Sequence, residues 1–173
     1  YVTMATHMMI EQEQLEEFNF ISSFPMAGPY DLSGTMVDLM LFYEPYGEPF
    51  YLPYVVVSYI LYYQLGSLSD FFLDPYNSYF EYLFDGNYSG SYINSIMPDI
   101  PIEVMLPEVI DQFSNNADHP LRLHLKENDL HDWIPQTDMH IFHGMGDELI
   151  PYQNSQIAYD NFIDNGSENI ILY

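Results

Sequence analysis

The chain holds 173 residues, 48% of them hydrophobic and 17% aromatic, which is apolar material for one core of ordinary domain size with an insertion packed on it. Two Lys and Arg stand against 26 Asp and Glu, a formal net charge of -24 at pH 7. Such a surface repels phosphate backbones, which argues against nucleic-acid binding and against anionic membranes. There is no cysteine, hence no disulfide framework and no thiolate chemistry. The 17 Tyr and 12 Phe spread among the acids argue against a disordered acidic tail. The longest apolar stretch, 50–65, is broken by Pro53, Ser58 and Gln64, and it falls short of the roughly 20 residues a membrane span needs. No signal peptide is visible, and Tyr1 is not an initiator methionine, so the natural N-terminus is expected to be missing or processed away.

Residues 1–18 read as a helix, with Val2, Ala5, Met8 and Met9 at helical spacing. Thr3, Ala5 and Thr6 are small enough for close approach to a sheet. Glu11, Glu13, Glu16 and Glu17 gather near the end, where the helix dipole disfavours them and solvation is their expected relief. Residues 19–27 read as a short buried strand carrying Phe20, Ile21 and Phe24. Ala27-Gly28-Pro29-Tyr30-Asp31 is a turn. The region 35–137 lacks βα alternation. Within it, helices are expected at 51–65, at 68–84 with an interruption at Asp74-Pro75, at 103–113 bent or split by Pro107, and at 121–130. The segment 85–90 is a loop. Strand-and-helix grammar then returns: a strand at 139–143, a Gly144-Met145-Gly146-Asp147 loop, a helix opened by Pro151 with Ser155 and Phe162 on one face, a stop at Asn165-Gly166, and a strand at 169–173.

Functional groups of open α/β sheets sit at the carboxyl ends of strands, and Asp147 stands at such an end. An acid there either orients a histidine ring or is a solvated loop aspartate. His140 and His143 flank the same strand, but i and i+3 on a strand point to opposite faces, which argues against a shared metal site with Asp147. His119, His124 and His131 lie near Asp118, Asp129 and Asp132, and surface pairing with acids is expected of them. Ser33 and Ser155 have no neighbouring base in sequence and read as turn and helix-surface residues.

The run His143-Gly144-Met145-Gly146-Asp147-Glu148-Leu149-Ile150-Pro151 resembles the acid-bearing loop of α/β-hydrolases, and the helix and strand after it continue the likeness. The segment from Ala27 to Gly34 is similar to the stretch after the sixth strand of secreted esterase, lipase and peptidase-like members. Tyr1-Val2-Thr3-Met4-Ala5 looks like the helix that follows their nucleophile elbow. The resemblance implies an α/β fold: the C-terminal part of an α/β-hydrolase sheet (1–34 and 138–173) interrupted by a long, mostly helical cap or lid insertion (35–137). It implies Asp147 as the acid of a Ser-Asp-His triad, a small-molecule ester or acyl substrate, no cofactor, no metal, and a secreted or periplasmic setting. The chain has no G-x-S-x-G, and none of its six histidines follows Asp147, whereas the family order is Ser, Asp, His. The expectation is therefore a fragment, lying between the elbow and the histidine loop, that needs the N-terminal half of the same protein. An esterase or lipase is the first reading. A prolyl-oligopeptidase-type peptidase and a non-catalytic hydrolase-like binding protein are the alternatives.

Overall fold

The computed structural model describes residues 1–15 and 17–173. In chain order the elements are α1 (Val2–Gln12), β1 (Ser22–Ser23), α2 (Thr35–Met40), α3 (Tyr51–Tyr63), α4 (Tyr76–Leu83), α5 (Gly90–Asn94), α6 (Pro107–Asn115), α7 (Pro120–Glu127), β2 (Asp138–Ile141), α8 (Gln153–Asp164) and β3 (Ile170–Leu172). Short 3-10 turns cover Leu68–Asp70 and Pro101–Val104. The chain divides into two compact units, one formed by Tyr1–Met36 with Asn128–Tyr173 and the other by Val37–Glu127.

The first unit is built on a parallel sheet in the order β1-β2-β3. Parallel neighbours need a crossover, and α8 supplies the one between β2 and β3. One sheet face is buried. Met139 and Ile141 of β2 are fully buried, and Ile170 of β3 lies beside them. They meet the stripe of α8 formed by Ser155, Ala158 and Phe162, whose spacing is that of one helix face. Leu130 and Trp133 complete this core. Both lie in the stretch 128–137 that this compact unit includes ahead of β2.

Three expectations need correction. The helix expected over 1–18 stops at Gln12, with Gln14 in the left-handed region (φ 52) and Glu16 outside the described residues. An acid-rich last turn facing its own carbonyl dipole is a poor place to continue a helix. The buried face of α1 is Met4 and His7; Val2, Thr3, Thr6 and Met9 are exposed. Histidine is buried there because both ring nitrogens are bonded, Nδ1 to Ser23 Oγ at 2.8 Å and Nε2 to Glu11 at 3.0 Å. The strand over 19–27 shrinks to Ser22–Ser23, continued by a bridge between Met26 and Phe142. Its inward residue is Ser23, held by His7, while Ile21 and Phe24 point outward.

The second unit is helical. Helix α3 buries Leu52, Val56, Val57 and Ile60 on its way to Gln64, whose left-handed conformation (φ 56) ends it. The interruption foreseen at Asp74-Pro75 separates the first 3-10 turn from α4, and Pro107 opens α6, dividing the helix expected over 103–113. Helices α2 and α5 are too short to show in a hydrophobic period. Among the described residues no helix is long and apolar enough to cross a membrane.

The other face of the sheet is aromatic and open. Phe142 stacks on Tyr173 (ring centroids 4.6 Å apart), and His140 lies between Phe24 at 5.2 Å and Tyr173 at 5.9 Å. Phe24, Ile171 and Tyr173 are 51%, 45% and 56% exposed. An apolar strand surface of this kind promotes association. Isolated 1–173 is expected to self-associate in sedimentation velocity, and Phe24→Lys with Ile171→Lys to shift it towards monomer. A wild-type chain that stays monomeric at high concentration would count against this.

Candidate active site

Strand β2 delivers its chain end into the loop 142–150. Asp147 sits there with its side chain 25% exposed. Its Oδ1 accepts hydrogen bonds from the backbone N–H of Leu149 and of Ile150, both at 2.9 Å. The Ile150 N–H above all, with the Leu149 N–H and the neighbouring His143, holds the carboxyl below its usual pKa against the opposing effect of burial. Oδ2 is turned to the other side, where the nearest charged-group partner is His143 Nε2 at 3.6 Å. One oxygen is thus anchored by the loop and the other is left for a donor.

His143 is buried, with Nδ1 2.7 Å from Ser155 Oγ and Nε2 2.8 Å from the Ile150 carbonyl oxygen. Ser155 therefore does have a base beside it, contrary to its expected place on the helix surface; the pairing spans twelve residues and needed the fold to appear. Ser155, His143 and Asp147 have the residue types of a hydrolytic triad. Ser155 is wholly buried, however, so no substrate carbonyl can reach its hydroxyl. Ser23, His7 and Glu11 form a second buried chain of the same composition. Burial lowers the His7 pKa despite Glu11, which makes Ser23 the donor to Nδ1 and Nε2–H the donor to Glu11. Glu11 also accepts from the backbone N–H groups of Gln136 and Thr137. It is tied down by partners rather than relieved by solvent alone. His140 lies on the aromatic face and His143 on the buried side, so the two do not converge on Asp147.

The shape of the chain matches solved enzymes. The ligand-bound form of the rice cell wall degrading esterase LipA from Xanthomonas oryzae superposes with a TM-score of 0.89 at 29% sequence identity, over 99% of this chain and 47% of that one. A variant of the same esterase gives a TM-score of 0.91 at 28% identity over the same shares. A protein of Legionella pneumophila assigned as a hydrolase gives 0.87 over 98% of this chain and 45% of its own, at 22% identity, a likeness of fold alone. The chain has an α/β-hydrolase-like fold. It spans less than half the length of these hydrolases, which support a hydrolase at the level of fold. No protein-family model matches the sequence, and no curated protein does.

This hydrolase-like chain carries one more polar cluster. Asp31, in the turn after β1, bonds the N–H groups of Gly34 and Thr35 and the Thr35 hydroxyl. Asp129 accepts from Ser33 N and Oγ. His131 Nε2 lies 3.3 Å from Asp31 and 3.5 Å from Asp129. These three groups are within 4.8 Å of one another, the span of a metal cradle. Their oxygens are already engaged by hydrogen bonds and by the imidazolium, which makes the cluster an ion pair. His131 was expected to pair with acids at the surface; it pairs with Asp129 and Asp31, and its side chain is largely buried. The Asn161 side-chain amide nitrogen lies 2.9 Å from His131 Nδ1; a charged His131 donates from Nδ1, which requires that amide to be turned so that its oxygen accepts. His124 pairs with Glu127 and stacks on Tyr63. His119 is buried and its Nδ1 accepts the Leu121 N–H, so it has no acid partner among those expected.

Hydrogen bonds from His131 overcome the burial of Asp31 and hold its carboxyl far below the ordinary range. Bonds to Asp129 and Asp31 raise His131 from 6.5 to about 10. In the unfolded chain the histidine loses its proton near its ordinary value, whereas the folded chain keeps it to about 10. The pair's stabilisation is therefore complete below the unfolded value and declines as pH rises towards 10. The Asp31 contribution is lost instead as the solution is acidified below the ordinary aspartate value. Melting temperature is expected to fall from pH 6.5 to 10, with at most about 1.4 kcal/mol lost per pH unit for the one proton. His131→Gln should flatten that slope; an unchanged slope would place the titration elsewhere.

Proposed function

We propose that this chain is the C-terminal part of a serine hydrolase that cleaves carboxylic esters, with Asp147 as the acid of its triad. The observation that carries the reading is the divided carboxylate of Asp147, one oxygen fixed by two backbone N–H groups and the other presented at the carboxyl end of a parallel strand. In this reading a serine from the preceding half attacks the ester carbonyl. A histidine beyond Tyr173 takes the proton and returns it to the leaving alcohol. Asp147 fixes the tautomer of that ring and stabilises the imidazolium. An ester is favoured over a peptide because solved neighbours of this shape are described as an esterase. That esterase is described as degrading rice cell wall, which supports action outside the cell.

The unit Val37–Glu127 is read as the cap. Its own interior holds a small apolar cavity, lined by residues such as Leu52, Val56, Ile102, Phe113 and Leu121. That space holds about one water-sized group, which is too little for an acyl chain.

Two measurements test the proposal. The isolated chain, which has no G-x-S-x-G, should not hydrolyse p-nitrophenyl esters above background; turnover lost on changing one of its own serines would refute the reading. In the full-length protein, Asp147→Asn should lower kcat by roughly 100-fold or more, while KM moves little because the acid does not touch substrate. Glu148 adjoins it, so Asp147→Asn with Glu148→Gln is the stricter variant. A folded double variant with near-normal kcat would return Asp147 to the status of a loop aspartate.

A further inference from the structure

Behind the loop that presents Asp147 stands a buried pair that the proposed chemistry does not use. The Ile150 carbonyl oxygen can only accept, so the 2.8 Å contact requires a proton on His143 Nε2. In the singly protonated ring Nδ1 is then an acceptor, and the Ser155 hydroxyl, 2.7 Å away, donates to it. The Nε2–H lies at the same time 3.6 Å from Asp147 Oδ2. Ile150 is tied to Asp147 from its other end, through its N–H to Oδ1. One imidazole N–H therefore holds the carbonyl of Ile150 and faces the oxygen that Asp147 presents. The opposite tautomer would set a nitrogen lone pair against both oxygens and push the loop away.

We propose that Ser155 and His143 are positioning residues for Asp147: the Ile150 carbonyl requires the Nε2–H tautomer, the serine hydroxyl supports it by donating to Nδ1, and that N–H holds the 147–150 loop so that Oδ2 is aimed at the catalytic histidine. The inference rests on the reading of Asp147 as the triad acid. Neither side chain touches substrate, since Ser155 is wholly buried and the His143 side chain has no exposed surface.

The test is a double-mutant cycle in the full-length protein, with ester hydrolysis, KM and melting temperature read together. Ser155→Ala should lower kcat about tenfold with KM nearly unchanged, the size expected for a small misplacement of a catalytic group. His143→Gln keeps an N–H donor near the place of Nε2 and has no tautomer to choose, so it should retain more activity than His143→Leu. In the His143→Gln background, Ser155→Ala should change kcat by less than about twofold. Ser23→Ala is the control for stability, because it breaks the like buried bond to His7, and Ser23 pairs with Met139 near the start of β2 rather than with the loop at its end. It should lower the melting temperature and leave kcat alone. Equal losses of kcat from Ser155→Ala in both backgrounds, or from Ser23→Ala at a matched loss of stability, would overturn the positioning role. So would an unchanged kcat in Ser155→Ala while Asp147→Asn is impaired, which leaves the triad reading intact. An unimpaired Asp147→Asn would instead remove the triad reading and this inference with it.

Discussion

Strand β2 is bonded along both edges, to β1 by its first residues and to β3 by its last. Met139 and Ile141 are at 0% exposure between those neighbours and α8. Burial of two such side chains contributes about 1.5–3 kcal/mol each, and it leaves no freedom of register, since a slip of one residue would turn both outward. That single constraint determines where the chain emerges at residue 142. The loop bearing Asp147, the helix that returns over the sheet and the pairing of β3 all follow from that emergence.

The core has two polar seams, and both are a serine, a histidine and an acid. Each histidine bridges elements distant in sequence: His7 joins α1 to β1, and His143 joins the loop after β2 to α8. In these two imidazoles, whose side chains have no exposed surface, both nitrogens are bonded, because a donor or acceptor sealed from water and left unmet costs about 1–3 kcal/mol. These residues therefore specify which surfaces meet. They also show that triad composition alone identifies no active site. Access decides, and among these carboxylates Asp147 combines an anchored oxygen with solvent exposure at a strand end.

Charge imposes the other broad condition. With two Lys and Arg among 173 residues, an acid placed inside the first unit has few permanent cations to meet. Histidine takes that part: His131 stands between Asp31 and Asp129 and is held protonated by them. Its position is also topologically apt. Asp31 to Thr35 is the stretch by which the chain leaves the first unit, and Asp129 to His131 the stretch by which it returns. The ion pair closes those two passages against each other inside the unit.

The sequence by itself determined the grammar of the chain ends. The β2, loop, α8, β3 succession, the Asn165-Gly166 stop and the position of Asp147 at a strand end were legible because period, glycine and proline act locally. So were α3 and the division at Pro107. Tertiary structure alone decided which face of α1 is buried, since period counts Val2 and Met9 as core and cannot know that Ser23 and Glu11 satisfy His7. It alone inverted β1, turning Ile21 and Phe24 outward and Ser23 inward. It alone brought Ser155 to His143 and Asp31 to His131, partners twelve and 100 residues apart. The physical reason is common to all of these: hydrophobic spacing is a property of neighbours along the chain, whereas a buried polar group is permitted only by whatever the folded chain sets against it.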